Sequence, residues 1–365
     1  MMWRNSVVAI CLLGAASGLH AQFVEQAKVV PSGLMSIYSP SVGTSVALSS
    51  DGSTAIVGAM FFDDNSFTSS IVGAAWVYTR ANGVWTQQSG ALTGADASSF
   101  YESLQGSAVA LSADGNTAIV GGMEDGGGQT FGDPNPTGAV WVYTRRSGVW
   151  SQQGSKLVPS DVVPGTITDL YFGAGADFGA TAAVSADGNT LVAGGWGDNG
   201  GDGAAWVFTR DSNGRWSQQG NKLVGANTSM ANQGWSVGIS ADGNTLIEGA
   251  PSDFCPVSPA NCIGAAWIFT RSGGVWSQQV KLVGTGNAGA NPNEGWSVAI
   301  SGDGNTAAIT GPFDNNSQGA IWIFTRSGST WSQQGGKLTV TGATASPGLG
   351  LNNVSLSLPM ATPSW

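Results

Sequence analysis

Apolar residues recur along this chain at every second position, in short runs cut by glycine-rich turns. Ser45-Val46-Ala47-Leu48-Ser49 alternates in this way, and an Asp51-Gly52-Ser53 turn follows. Thr54-Ala55-Ile56-Val57-Gly58 predicts a second strand, Ala74 to Arg80 a third, and Val84-Trp85-Thr86-Gln87 a fourth. The Asp-Gly and Ser-Gly turns make strands one to two and three to four tight hairpins. No glycine-free stretch carries a sustained 3.6-residue apolar period, and each glycine inside a helix costs about 1 kcal/mol, so long helices are excluded.

The pattern repeats. The segment that starts at Gly43 returns from Gly106, Gly179, Gly234 and Gly295, each time as a first strand, a Ser-x-Asp-Gly turn and a second strand. A second unit, of the form Gly-Ala-Ala-Trp-Val-Tyr-Thr-Arg, begins at Gly73, Gly138, Gly203, Gly264 and Gly319 and runs into Trp-Ser-Gln-Gln or a close variant. Its first tryptophans, Trp76, Trp141, Trp206, Trp267 and Trp322, are spaced by 65, 65, 61 and 55 residues. Four short antiparallel strands repeated at this period predict an all-β β-propeller rather than a sandwich. The five complete repeats cover about 43–92, 106–157, 179–223, 234–283 and 295–338, in one domain over 22–365. Partial strands at 24–30 and 350–358 fit the fourth and first strands of a split or incomplete sixth blade.

These residues resemble the FG-GAP repeat family, the repeat of integrin alpha-chain propellers and of many secreted bacterial proteins. The resemblance covers about Gly43 to Leu338 and implies a propeller with a binding or adhesion role. It departs from the family at the calcium loop. Where the family inserts an Asp-rich loop between the first two strands, this chain has single-carboxylate turns at Asp51, Asp114, Asp187, Asp242 and Asp303. One carboxylate per turn does not supply the six to eight oxygens of a calcium site. No cofactor is therefore expected, and Asp198 and Asp202 are only weak metal candidates.

Residues 1–21 read as a secretory signal: Arg4, an apolar run over 7–14 and a small-residue stretch to Ala21. Its removal takes away His20, the one histidine. Histidine-based catalysis and zinc ligation are thereby excluded from the mature chain, and export places Cys255 and Cys262 in an oxidising compartment as a disulfide. The net charge of -10 argues against nucleic acid, and no later segment is long and apolar enough to span a membrane. The reading is a secreted or cell-surface monomer with an extracellular protein or glycan as partner.

Loops joining strands two to three and four to one emerge on one face, vary most in length among the repeats, and hold 15 of the 23 acidic residues. Variable loops on a rigid scaffold are where binding resides, so Asp63, Asp64, Asp169, Asp177 and Asp314 are candidates for ligand contact. Trp196, Trp235 and Trp296 lie outside the repeating tryptophan positions and are candidates for a ligand platform. The repeating tryptophans read as core, with Trp85 expected opposite Tyr78 across the hairpin. The arginines Arg80, Arg145, Arg210, Arg271 and Arg326 close the opposite face, either as Asp/Arg pairs that lock the hairpins or as an anion-binding ring. Three function classes follow: a non-catalytic binding module, a carboxylate-dependent polysaccharide-active enzyme, and a structural envelope or matrix component.

Overall fold

The computed structural model describes residues 27–32, 41–62, 71–98, 103–126, 136–163, 175–226, 228, 231–253, 262–289, 291–340 and 348–350. They form five four-stranded antiparallel sheets, each with its strands in chain order, the blades of a β-propeller. Blade 1 comprises β1 (Val46–Leu48), β2 (Thr54–Ala59), β3 (Ala74–Ala81) and β4 (Val84–Gln87). Blades 2 to 5 repeat it over 105–152, 181–218, 236–282 and 298–333. The first tryptophan of every third strand is sealed between blades: Trp76 is 1% exposed, and Trp141, Trp206, Trp267 and Trp322 are 0% exposed.

Three devices join successive blades. The backbones meet at paired glycines. A Cβ on Gly58 would stand 2.2 Å from the carbonyl oxygen of Gly106, and one on Gly106 would stand 2.3 Å from that of Ala74; Gly106 also has φ +84°. The Asp-Gly turns form a second device. Ser50 N–H donates to the Ala113 carbonyl at 3.0 Å, Ala113 to Ala186 at 3.0 Å, Ala186 to Ala241 at 3.0 Å and Ala241 to Gly302 at 2.9 Å.

The third device is the paired glutamine that ends each fourth strand. Its first glutamine reaches the preceding blade: Gln152 Oε1 accepts from Ala95 N–H at 2.9 Å, and Gln218 from Ser160 at 2.9 Å. Its second serves the following blade: Gln88 Oε1 accepts from Arg145 Nη1 and Trp150 Nε1, both at 3.0 Å. Gln153 and Gln219 repeat this toward Arg210 with Trp216 and Arg271 with Trp276. The arginines therefore do not pair directly with the turn aspartates. Their Nε donates to the turn asparagine instead, as from Arg145 to Asn116 at 2.9 Å, while the aspartate holds its own turn. Asp51, for example, accepts from the Ser49 hydroxyl at 2.6 Å and Ser53 N–H at 2.9 Å, and these bonds, the Ser49 hydroxyl first, lower its pKa to about 2.

The cross-strand aromatic pair does not form as expected. The two-residue Asn82-Gly83 turn pairs Ala81 with Val84, which sets Arg80 opposite Trp85 and Tyr78 opposite Gln87. The same register puts the guanidinium of Arg145 over Trp150 at 5.4 Å, with equivalents at Arg210, Arg271 and Arg326.

The blade-to-blade contacts continue past blade 1 and past blade 5 at the two ends of the described chain. Ser32 N–H donates to Gln87 Oε1 at 2.8 Å, as Ala95 does to Gln152, so it marks the exit of a blade ahead of blade 1. Leu349 bridges Gly319 in parallel as Gln105 bridges Gly73, and Gly350 with φ +92° takes the place of Gly106. Residues 27–30 carry no strand. The rest of both expected partial strands, and the signal segment 1–21, fall outside the described residues.

Candidate ligand-binding site

Four half-buried aromatic rings run in contact across the loop face of blades 3 to 5. Trp196 lies 5.5 Å from Trp235, Trp235 lies 4.9 Å from Trp296, and Trp296 lies 5.5 Å from Phe313, centroid to centroid. Antiparallel topology produces this strip from residues distant in sequence. Trp196 and Phe313 follow second strands while Trp235 and Trp296 precede first strands, and these four ends share one face. The lead-in turns fix the rings. Asn232 and Asn293 are left-handed, with φ 55° and 52°, and their carbonyls accept from the N–H of Trp235 at 3.2 Å and Trp296 at 3.3 Å. Asn232 Nδ2 also donates to the Trp196 carbonyl at 3.3 Å, and Asn293 Nδ2 to that of Pro251 at 2.9 Å. Blades 1, 2 and 3 hold Thr44, Ser107 and Ala180 at the positions of Trp235 and Trp296, so the strip is confined to one side of the ring. Sequence reasoning found the three tryptophans and missed Phe313, whose place before Asp314 follows an ordinary second strand.

The acidic character of this face is largely internal. Asp314 is fully buried, pairs with Lys337 at 2.5 Å and accepts from Ala288 N–H at 2.6 Å, so it is a scaffold residue and not a ligand contact. The same pair recurs as Asp125 with Lys156, Asp198 with Lys222 and Asp253 with Lys281, each at 2.5 Å. Asp198, one of the two weak metal candidates, is thus committed to Lys222 and to Val163 N–H, and Asp202 accepts from Asn199 Nδ2 at 2.7 Å. No group of three or more His, Cys, Asp or Glu side chains converges among the described residues. The pairing was missed because aspartate and lysine lie on different strands. Its signal was the joint recurrence of an aspartate three residues past the second strand and a lysine before the Leu that follows the fourth.

Asp96 and Asp161 are internal in a similar sense. Asp96 Oδ1 accepts from the Trp141 indole at 2.9 Å, and Asp161 Oδ1 from that of Trp206 at 2.9 Å. Burial raises both carboxyls, but the N–H of Lys156 or Lys222, the glutamine amide and the indole outweigh it and hold them below the usual range.

Asp177 differs from these. It is 4% exposed, and its Oδ2 is buried without a hydrogen-bond partner. Burial first, and the neighbouring charge of Glu124 second, lift its pKa to about 7. Glu294 is also lifted to about 7 by burial, yet it accepts from Gly284 N–H at 2.5 Å and Asn287 Nδ2 at 3.2 Å. Glu248, inside the sheet of blade 4, is fully buried, and burial raises it well above the carboxylate range, with the Gly225 N–H opposing. Asp63, Asp64 and Asp169 lie outside the described residues. Cys262 is disulfide-bonded, and its expected partner, Cys255, lies outside them too.

The sequence matches no protein-family model and no curated protein. Among solved structures it is similar to TolB from Acinetobacter baumannii, with 13% identity and a TM-score of 0.38 over 80% of this chain. The match covers 55% of that protein, so the chain spans about half its length. Among the described residues no helix is long and apolar enough to cross a membrane.

Proposed function

We propose that this protein is a secreted, FG-GAP-type propeller that binds glycans through the aromatic strip and carries out no chemistry on them. The observation that carries this reading is the contact of Trp196, Trp235, Trp296 and Phe313, all half-buried, on the face of variable loops. The five third-strand tryptophans, by contrast, are sealed between blades. Half-buried rings gathered in contact on a face of variable loops offer apolar surface of the kind on which sugar rings stack.

The test is an oligosaccharide binding screen on the mature protein, with Trp235→Ala and Trp296→Ala beside Arg146→Ser, an exposed residue on the opposite face. Each tryptophan change is expected to weaken glycan binding at least tenfold, and the arginine change to leave it unaltered. Binding that survives both tryptophan changes would sink the reading. The same screen reports turnover. Release of new reducing ends, abolished by Asp177→Asn, would replace binding by carboxylate catalysis.

A further inference from the structure

The residue two before the glycine that opens each first strand is left-handed throughout: Ser41, Leu104, Asp177, Asn232, Asn293 and Gly348 have φ between 50° and 55°. Where the fold uses this side chain it uses an amide. Asn232 and Asn293 donate N–H bonds to carbonyls of the preceding blade. The buried Oδ2 of Asp177 has no hydrogen-bond partner, so it neither accepts from nor donates to the scaffold. The carboxyl joins none of the ion pairs among the described residues. It therefore contributes nothing to the scaffold that asparagine would not, and it adds an unsatisfied buried oxygen. A buried, unsatisfied carboxyl at a position where the two following repeats place a hydrogen-bonded asparagine points to a requirement outside the fold.

The placement of the carboxyl indicates that requirement. Oδ2 of Asp177 lies against Gly197, where an added Cβ would meet it at 2.6 Å. Gly197 directly follows Trp196, the terminal ring of the strip. Glu124 contributes a second negative charge at the same spot. A metal ion wants six or more oxygens, and no third His, Cys, Asp or Glu joins these two among the described residues. An ammonium group needs only a carboxylate to receive its N–H donors and gains further from an indole face nearby.

We propose that the ligand of the strip is an amino-glycan, with sugar rings on Trp235 and Trp296 and a protonated amine held by Asp177 beside Trp196. This rests on the reading of the strip as a glycan site. The test compares β-linked glucosamine oligosaccharides with their N-acetylated counterparts by calorimetry, on wild type, Asp177→Asn and Trp235→Ala, with and without calcium. Wild type is expected to bind the amine form at least tenfold more tightly, Asp177→Asn to bring the two forms to parity, and Trp235→Ala to weaken both. Equal binding by wild type, a preference that survives Asp177→Asn, or binding of both forms only with calcium would overturn the amine while leaving the strip in place. Failure of wild type to bind either form would overturn the strip as well. Asp177→Asn restores the residue that blades 4 and 5 carry, so it is expected to fold.

Discussion

Phe62 stands edge-on to Trp76, with ring centroids 5.1 Å apart and planes at 89°, at the place where the other four blades put a buried aspartate. Blade 1 also has Ala91 where those blades have the partner lysine. Charge and counter-charge are thus absent together, and an aromatic contact fills the space. One scaffold accepts either solution, but not half of one.

That exclusivity gives a double-mutant prediction. Lys222→Ala leaves Asp198 buried without its cation and is expected to cost about 3–5 kcal/mol, because an uncompensated buried charge is far worse than none. Adding Asp198→Phe, to recreate the blade 1 pair, is expected to recover most of that loss. Urea unfolding of the two singles and the double measures the coupling, and strict additivity would refute it.

Asp177 makes stability depend on pH. Its pKa is raised in the folded protein from the ordinary 3.8 to about 7, so the fold prefers the neutral acid. Stability is full below about pH 4 and falls as pH rises to about 7. Asp177→Asn is expected to stabilise the protein at pH 8 by on the order of 3–4 kcal/mol, read as a raised thermal midpoint. The gain should vanish near pH 3.5. An equal gain at both pH values would mean that titration of Asp177 is not its source.

Gln219 accepts from Arg271 Nη1 at 2.9 Å and Trp276 Nε1 at 3.0 Å. Gln219→Ala removes both bonds at one blade junction and is expected to cost about 2–3 kcal/mol. Substitution of Arg215, exposed on the loop of the same blade, should cost less than about 0.5 kcal/mol. Chemical denaturation with amide exchange around blade 4 reads both.

Glu248 occupies a position where blades 1, 2 and 5 carry Val57, Val120 and Ile309. Because burial outweighs the one backbone bond from Gly225 and lifts its pKa, Glu248→Val is expected to stabilise the protein, more so at pH 8 than at pH 5. The sign follows from a raised pKa in the fold: ionisation at higher pH opposes folding of the glutamate form alone. A lower thermal midpoint for the valine variant at pH 8 would show that Glu248 has a stabilising role.

Alternation and turn chemistry were enough to read the blades from the sequence, because period two and Asp-Gly act within a few residues. The three strip tryptophans were also legible, as departures from a repeat. What escaped was whatever depends on register between blades. The Trp-Ser-Gln-Gln run was visible four times, with Trp-Thr-Gln-Gln in the first repeat, but only neighbouring blades reveal that its first glutamine serves one side and its second the other. Acidic loops were read as a charged surface because sequence alone does not show that Lys156, Lys222, Lys281 and Lys337 turn back to meet them. Arg80 marks the boundary of the pattern: its Nε lacks a partner, since Ser53 stands where later turns have asparagine.

The glycine seams impose a filter on how this sequence drifts. At Gly58 with Gly106, and at its counterparts Gly121 with Gly179, Gly194 with Gly234 and Gly249 with Gly295, backbone meets backbone with no room for a methyl group. Each repeat contributes one half of a seam on either side, so any copy mates with any other. A duplicated repeat is therefore an insertable cassette, while changes that persist accumulate in the outer loops. Identity among the copies at the seams thus reflects geometry, while the tryptophans of blades 3 to 5 sit where the geometry leaves the sequence free to diverge.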